Sequence, residues 1–209
     1  MRLIVFGSTG GTGRQLVQQA LAAGHTVTAI ARDPSALTFS NPNLSIVGAN
    51  VLQLSTFETA MYQQDAVLSA LGFRSANDVK VYSQGMANII TAMNTCGIKR
   101  ILCVSAAAVE TNPTLSPVYR ILTKLLQRIF KEPYADVLLM EKHLKTTNLE
   151  WTIIRPPRLT NGKQKTNYRF AINEWLRNCK TISRADLAHF MLDHVSDTNM
   201  YRSISEVAY

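Results

Sequence analysis

At 209 residues, 46% of them hydrophobic, the chain is long enough to bury one substantial core, and a single domain is expected. Its formal net charge of +8 comes from scattered basic residues, densest at Lys163, Lys165, Arg169, Arg177 and Lys180, which points to anionic small molecules rather than nucleic acid as partners. No apolar stretch approaches a membrane span, the three cysteines (Cys96, Cys103 and Cys179) form no C-x-x-C pair, and the four histidines lack metal-ligand spacing, so no membrane partner, disulfide or metal site is expected and a reducing cytoplasm is.

Residues 3–6, Leu-Ile-Val-Phe, form an apolar run bounded by glycine, as suits a strand covered on both faces of a parallel sheet. Since a core strand begins at once, no signal peptide is expected. Gly7, Ser8, Thr9, Gly10, Gly11, Thr12 and Gly13 follow in a G-x-x-G-x-x-G pattern. The first glycine permits a tight turn, the second lets backbone approach a pyrophosphate, and the third lets helix and sheet pack closely. A helix should follow, with Leu16, Val17, Ala20 and Leu21 on its buried face and Gly24 as its stop. Amide N–H groups at its start would face the phosphate.

A second strand is expected over residues 26–31, leading to Arg32, Asp33 and Pro34. NAD-specific folds place a carboxylate at this point to hold the ribose 2′-hydroxyl. Here Arg32 comes first and suits a 2′-phosphate, so NADPH (NADP) is the expected cofactor. Strand three is expected over 44–47, followed by Asn50 and Val51; strand four over 66–71, through Ala70 and Leu71, ends at Gly72. Both strand ends should lie beside the adenine and ribose halves of the cofactor.

Residues 79–97 carry a helical pattern stopped by Gly97, and strand five, 100–104, delivers Ser105 at its carboxyl end. A loop over 111–117 and helical patterns over 118–130 and 134–147 come next. Strand six, 151–154, should stop at Arg155, Pro156 and Pro157, because proline cannot donate into a ladder, and Arg158 then begins a loop near the same edge. Pro156 joins the residues expected at the cofactor. Ser183 and Asp186 have capping-box spacing before a last helix, on or near which His189 and His194 read as structural. The whole is an α/β chain with a Rossmann-like, doubly wound parallel sheet of five or six strand and helix units, residues 1–209 forming one NAD(P)-binding domain whose acceptor site is made by C-terminal loops.

With residues 7–13, 31–34, 104–106, 151–157 and 182–192 as its motifs, the chain resembles the atypical short-chain dehydrogenase/reductases of the NAD(P)H-binding, NmrA-like group. Within that group it is most similar to the biliverdin-IXβ reductase/flavin reductase proteins. The resemblance implies a monomeric, cytoplasmic, NADPH-dependent reductase of flavins and linear tetrapyrroles, with Ser105 matching the family's active-site serine. Two departures stand out: Arg158 occupies the place of a histidine after the paired prolines, and the segment between Ser105 and Tyr134 is longer. No tyrosine is followed four residues later by lysine, which argues against oxidation of secondary alcohols. A planar flavin or bilin needs no strong protein acid, and Ser105 and Arg158 are the expected catalytic groups that position it. The alternative that stays open is an NmrA-like, cofactor-sensing regulator without turnover.

Overall fold

The computed structural model describes residues 1–72 and 80–209. In chain order these form β1 (Arg2–Phe6), α1 (Gly11–Ala22), β2 (Thr26–Ala31), β3 (Leu44–Gly48), β4 (Ala66–Ser69), α2 (Ser83–Cys96), β5 (Arg100–Val104), α3 (Pro117–Ile129), α4 (Lys131–Lys145), β6 (Glu150–Arg155), β7 (Arg158–Thr160), β8 (Arg169–Ile172), β9 (Thr181–Ser183), α5 (Arg184–Asp193) and β10 (Ser203–Ala208). Val79, expected to open the second helix, lies outside the described residues.

The sheet order is β3-β2-β1-β4-β5-β6-β10-β8, parallel throughout except where β8 runs antiparallel against β10. The chain winds outward from β1 to β3 on one side, crosses back to β4, and winds outward on the other. The two halves therefore diverge between β1 and β4, and a crevice opens at the carboxyl ends of those strands.

Burial on both faces explains why β1 reads as unbroken apolar sequence. Leu3 and Val5 enter a core with α1 and α5, whereas Ile4 and Phe6 enter a second core with α2 and α4. Phe6 meets Phe57 edge-to-face at 5.1 Å. Asp136 of α4 caps α2 from outside, accepting the Tyr82 and Ser83 amides at 2.9 and 3.2 Å and the Ser83 hydroxyl. That fixes the two helices of this layer relative to each other.

Several sequence expectations need correction. Strand four ends at Ser69, because Ala70 passes directly over the turn at Gly7: a Cβ on Gly7 would lie 2.3 Å from the Ala70 carbonyl oxygen. Arg158 does not open a loop. Beyond the prolines the chain stays extended, and Arg158 begins β7, paired in parallel with β9. The five or six expected units are extended at one edge by β10 and β8. β10 escapes a hydropathy reading because Ser203, Ser205 and Glu206 are buried polar residues within it.

Gly7 has φ +72°, and a Cβ on Gly13 would stand 2.1 Å from the Gly7 carbonyl oxygen. The same addition at Gly10 meets only that oxygen, at 3.2 Å. Gly13→Ala is expected to cost about 1–3 kcal/mol by overpacking, lowering Tm by roughly 2–12 °C for a domain of this size. Gly10→Ala should cost distinctly less. Thermal unfolding followed by circular dichroism compares the two.

Candidate functional site

A cavity of about 430 Å³ occupies the β1/β4 crevice, within the ~300–1,000 Å³ typical of small-molecule sites. The glycine turn forms its floor, with Gly7, Thr9, Gly10, Gly11 and Thr12 on the wall. Gly10 is extended at the N-cap of α1, with φ −73° and ψ 164°; no side chain caps the helix and no acid stands in its first turn. The first amides of α1 thus open toward the cavity with the positive end of the helix dipole behind them. Arg14 braces this turn, donating to the Thr9 carbonyl at 3.1 Å and the Ala36 carbonyl at 2.7 Å. Ser8 ties it to β2 by donating to the Ile30 carbonyl at 2.7 Å.

At one end of the cavity, Arg32 lies on the wall beyond β2. The neighbouring Asp33 turns the other way and caps its own turn, accepting the Ser35 amide at 3.0 Å and the Ser35 hydroxyl at 2.6 Å. Its carboxylate is committed to that turn. Asn50 and Val51 line the wall beyond β3, with the Asn50 side chain accepting the Leu52 amide at 3.1 Å. Ala70, Leu71 and Gly72 line it beyond β4.

At the other end stands Ser105, 8% exposed, whose hydroxyl donates to Glu141 at 2.7 Å. Glu141 accepts two bonds from the Arg155 guanidinium, at 2.9 and 2.6 Å, and one from Lys145 at 3.1 Å. Arg155 also reaches Glu110 at 2.8 Å. Burial alone would push the Glu141 carboxyl up, but the hydrogen bonds and charge of Arg155, with the Ser105 hydroxyl and Lys145 added, hold it below its ordinary value. Glu141 is therefore ionised at neutral pH. The Ser105 proton points into the protein, and what Ser105 offers the cavity is an oxygen lone pair.

Of the sequence-derived site residues, Gly13, Pro156 and Arg158 fall outside the lining. Gly13 acts by packing on Gly7, as described above. Pro156 is buried and its carbonyl accepts the Ala107 amide at 3.0 Å, which supports the segment after Ser105. Arg158 is exposed on β7.

Conversely, Arg184, Leu159 and Tyr82 line the cavity without having been singled out. Arg184 lies against the glycine turn: a Cβ on Gly11 would fall 2.6 Å from its Cδ, and its guanidinium donates to Asn161 at 2.7 Å. It follows the N-cap Ser183, which accepts the Asp186 amide at 2.9 Å as the capping box implied. Ser183 and Asp186 mark that helix start locally, but nothing in the sequence around them connects it to a turn so far upstream. Among the described residues no helix is long and apolar enough to cross a membrane, and no group of three metal-ligating side chains occurs.

A mostly parallel sheet whose first strand turns through glycines into an uncapped helix, at the point where the winding reverses, defines a dinucleotide-binding Rossmann domain. The chain belongs to the NAD(P)H-binding family, which it matches over residues 7–198. Family and fold together make the cavity an NAD(P)(H)-binding site. The photosystem II assembly factor Ycf39 of Synechocystis is 31% identical over 74% of this chain and 44% of its own. Divinyl chlorophyllide a 8-vinyl-reductase of Arabidopsis thaliana is 25% identical over 98% of this chain and 52% of its own. The chain thus spans about half the length of these curated relatives. ChuY, an anaerobillin reductase of Escherichia coli O157:H7, shares the fold with a TM-score of 0.82 at 18% identity, covering 100% of this chain and 97% of that one.

Replacing Glu141 by Gln removes the charge of the buried partner and leaves Glu110, half-exposed, as the one carboxylate salt-bridged to Arg155. Glu141→Gln should destabilise the protein by about 3 kcal/mol at neutral pH. Because the folded carboxyl titrates below its unfolded value near ~4.3, the wild-type stabilisation is present above that pH and is lost as pH falls through the folded value. Urea titrations at neutral and acidic pH should show the difference between wild type and variant shrinking toward acid.

Proposed function

We propose that the protein is an NADPH-dependent reductase that delivers hydride to a planar conjugated acceptor, a flavin such as FMN or a linear tetrapyrrole such as biliverdin, and that it works as a monomer. The observation that carries the cofactor choice is the pairing of Arg32 on the cavity wall with an Asp33 committed to its own turn. A ribose 2′-phosphate would meet a cation where an NAD-specific site offers a carboxylate. The pyrophosphate would rest on the amides of Gly11 and Thr12, with Arg184 as a second source of positive charge, and Asn50, Val51, Ala70, Leu71 and Gly72 would border the adenosine half. NADPH, when bound, supplies the hydride.

In this reading Ser105 is an orienting group. Its lone pair, fixed because the hydroxyl donates its hydrogen bond to Glu141, would accept a hydrogen bond from a donor at the reacting end, and the reduced acceptor would take its proton from water. Arg184, on the cavity wall, replaces Arg158 as the cation assigned to an anionic ligand. The names of two similar proteins, a chlorophyllide reductase and an anaerobillin reductase, support a tetrapyrrole acceptor. The commitment of Ser105 to a buried ion pair equally favours a second reading, a cofactor-sensing protein without turnover.

Dissociation constants for NADPH and NADH test the cofactor assignment. Wild type should prefer NADPH by about ten- to a hundredfold, the worth of one charge-assisted contact. Arg32→Ala should remove the preference without weakening NADH, whereas Arg184→Ala and Gly10→Val should weaken both. Equal affinities in wild type would remove the argument. NADPH oxidation should then be followed with FMN, FAD, riboflavin, biliverdin isomers and quinones. Tight NADPH binding without turnover on any of them selects the sensing role.

A further inference from the structure

The helix α3 has no buried residue, although it carries a strongly sided sequence. Its least exposed residues are Thr123, Leu126 and Gln127, and it is attached to the body by Gln127, which donates to the Ala108 carbonyl at 2.9 Å, and by Tyr119, whose ring lies 5.9 Å from Lys180 Nζ. Around the rest of its circumference, residues four apart fall into rows. One row, Ile121, Leu125 and Ile129, is 69%, 52% and 63% exposed, and Val118 and Leu122 make the next row, also open to solvent. On the other side of the first row run Arg120, Lys124 and Arg128, all exposed. No Asp or Glu occurs from residue 111 to residue 131.

A broad apolar strip edged by charges of one sign is the pattern of a helix that lies in a membrane interface, its apolar side among the acyl chains and its cations at the headgroups. At 13 residues α3 measures about 20 Å, too short to span a bilayer and suited to lying in its plane. A second copy of the chain fits this face less well. An antiparallel isologous pair would bring the basic rows of both copies together, and neither α3 carries a carboxylate to meet them.

We propose that α3 docks the protein on anionic lipid bilayers through Val118, Ile121, Leu122, Leu125 and Ile129, with Arg120, Lys124 and Arg128 on the lipid phosphates. The proposal stands independently of the reading of the cavity. Because Gln127 of α3 bonds to Ala108, three residues beyond Ser105, docking would also bring the Ser105 end of the protein toward the bilayer.

Flotation of the full chain with vesicles of phosphatidylcholine, with or without phosphatidylglycerol, tests it. The protein should float with the anionic vesicles, stay behind with the neutral ones, and be released by high salt. Leu125→Asp should abolish flotation, and Arg120→Glu combined with Lys124→Glu and Arg128→Glu should reduce partitioning by at least roughly a hundredfold. Both variants should keep wild-type NADPH affinity, and the charge variant decides if the Leu125 variant does not fold. Failure of wild type to float with anionic vesicles, or equal flotation with neutral ones, would overturn the proposal. So would a dimer in sedimentation velocity that Leu125→Asp dissociates, since it would assign the face to a second copy.

Discussion

The structure turns on one close approach of backbone to backbone. Where β1 ends, Gly7 takes a positive φ under the Ala70 carbonyl, and Gly13 of α1 lies against the Gly7 carbonyl at a distance that leaves no room for a side chain. Those contacts set how steeply α1 leaves the sheet and bring its amides to the floor of the crevice. The remaining support is arranged around that turn: Ser8 bonds to the end of β2, Arg14 bonds to the turn and to the segment after Asp33, and Arg184 packs against it from α5. Without the approach of Gly13 to Gly7 the helix would stand off the sheet, and its dipole would no longer end at the cavity.

Opposite the turn, the site rests on buried charge. Glu141, 1% exposed, and Arg155, 3% exposed, would each be costly alone, and their paired hydrogen bonds offset that cost. The arrangement fixes the hydroxyl of Ser105 and so decides which kind of group it can meet. Glu206 lies close enough for its charge to act with those of Arg155 and Glu110. Burial raises its carboxyl above the ordinary value, against the opposing bond from the Leu176 amide and the charge of Arg155. One carboxylate of this cluster is thus held ionised and another is pushed toward neutrality, by the same balance of desolvation against pairing.

Much of this was legible in the sequence where a local rule sufficed. The turn at Gly7 to Gly13, the span Thr26–Ala31, the stops at Gly24 and Gly97 and the Ser183 cap each depend on neighbours a few residues away, and they stand where the pattern puts them. The doubly wound sheet followed from the alternation of strand and helix. What escaped depends on contacts across the fold. Nothing near Glu141 in sequence announces that it will meet Ser105 and Arg155, and β10 hides its place in the sheet behind buried serines. Arg158 shows the same limit from the other side: the paired prolines do end β6, but where the next residues go is decided by Thr181–Ser183, which lies on another segment.

On the function proposed above, a dinucleotide phosphate chain sits on the uncapped start of α1 with a 2′-phosphate beside Arg32. A crystal structure of the NADP⁺ complex tests it most directly. The expected complex has pyrophosphate oxygens within hydrogen-bonding distance of the Gly11 and Thr12 amides, and the 2′-phosphate paired with the Arg32 guanidinium. A pyrophosphate placed away from α1, or a 2′-phosphate turned to solvent away from Arg32, would contradict it.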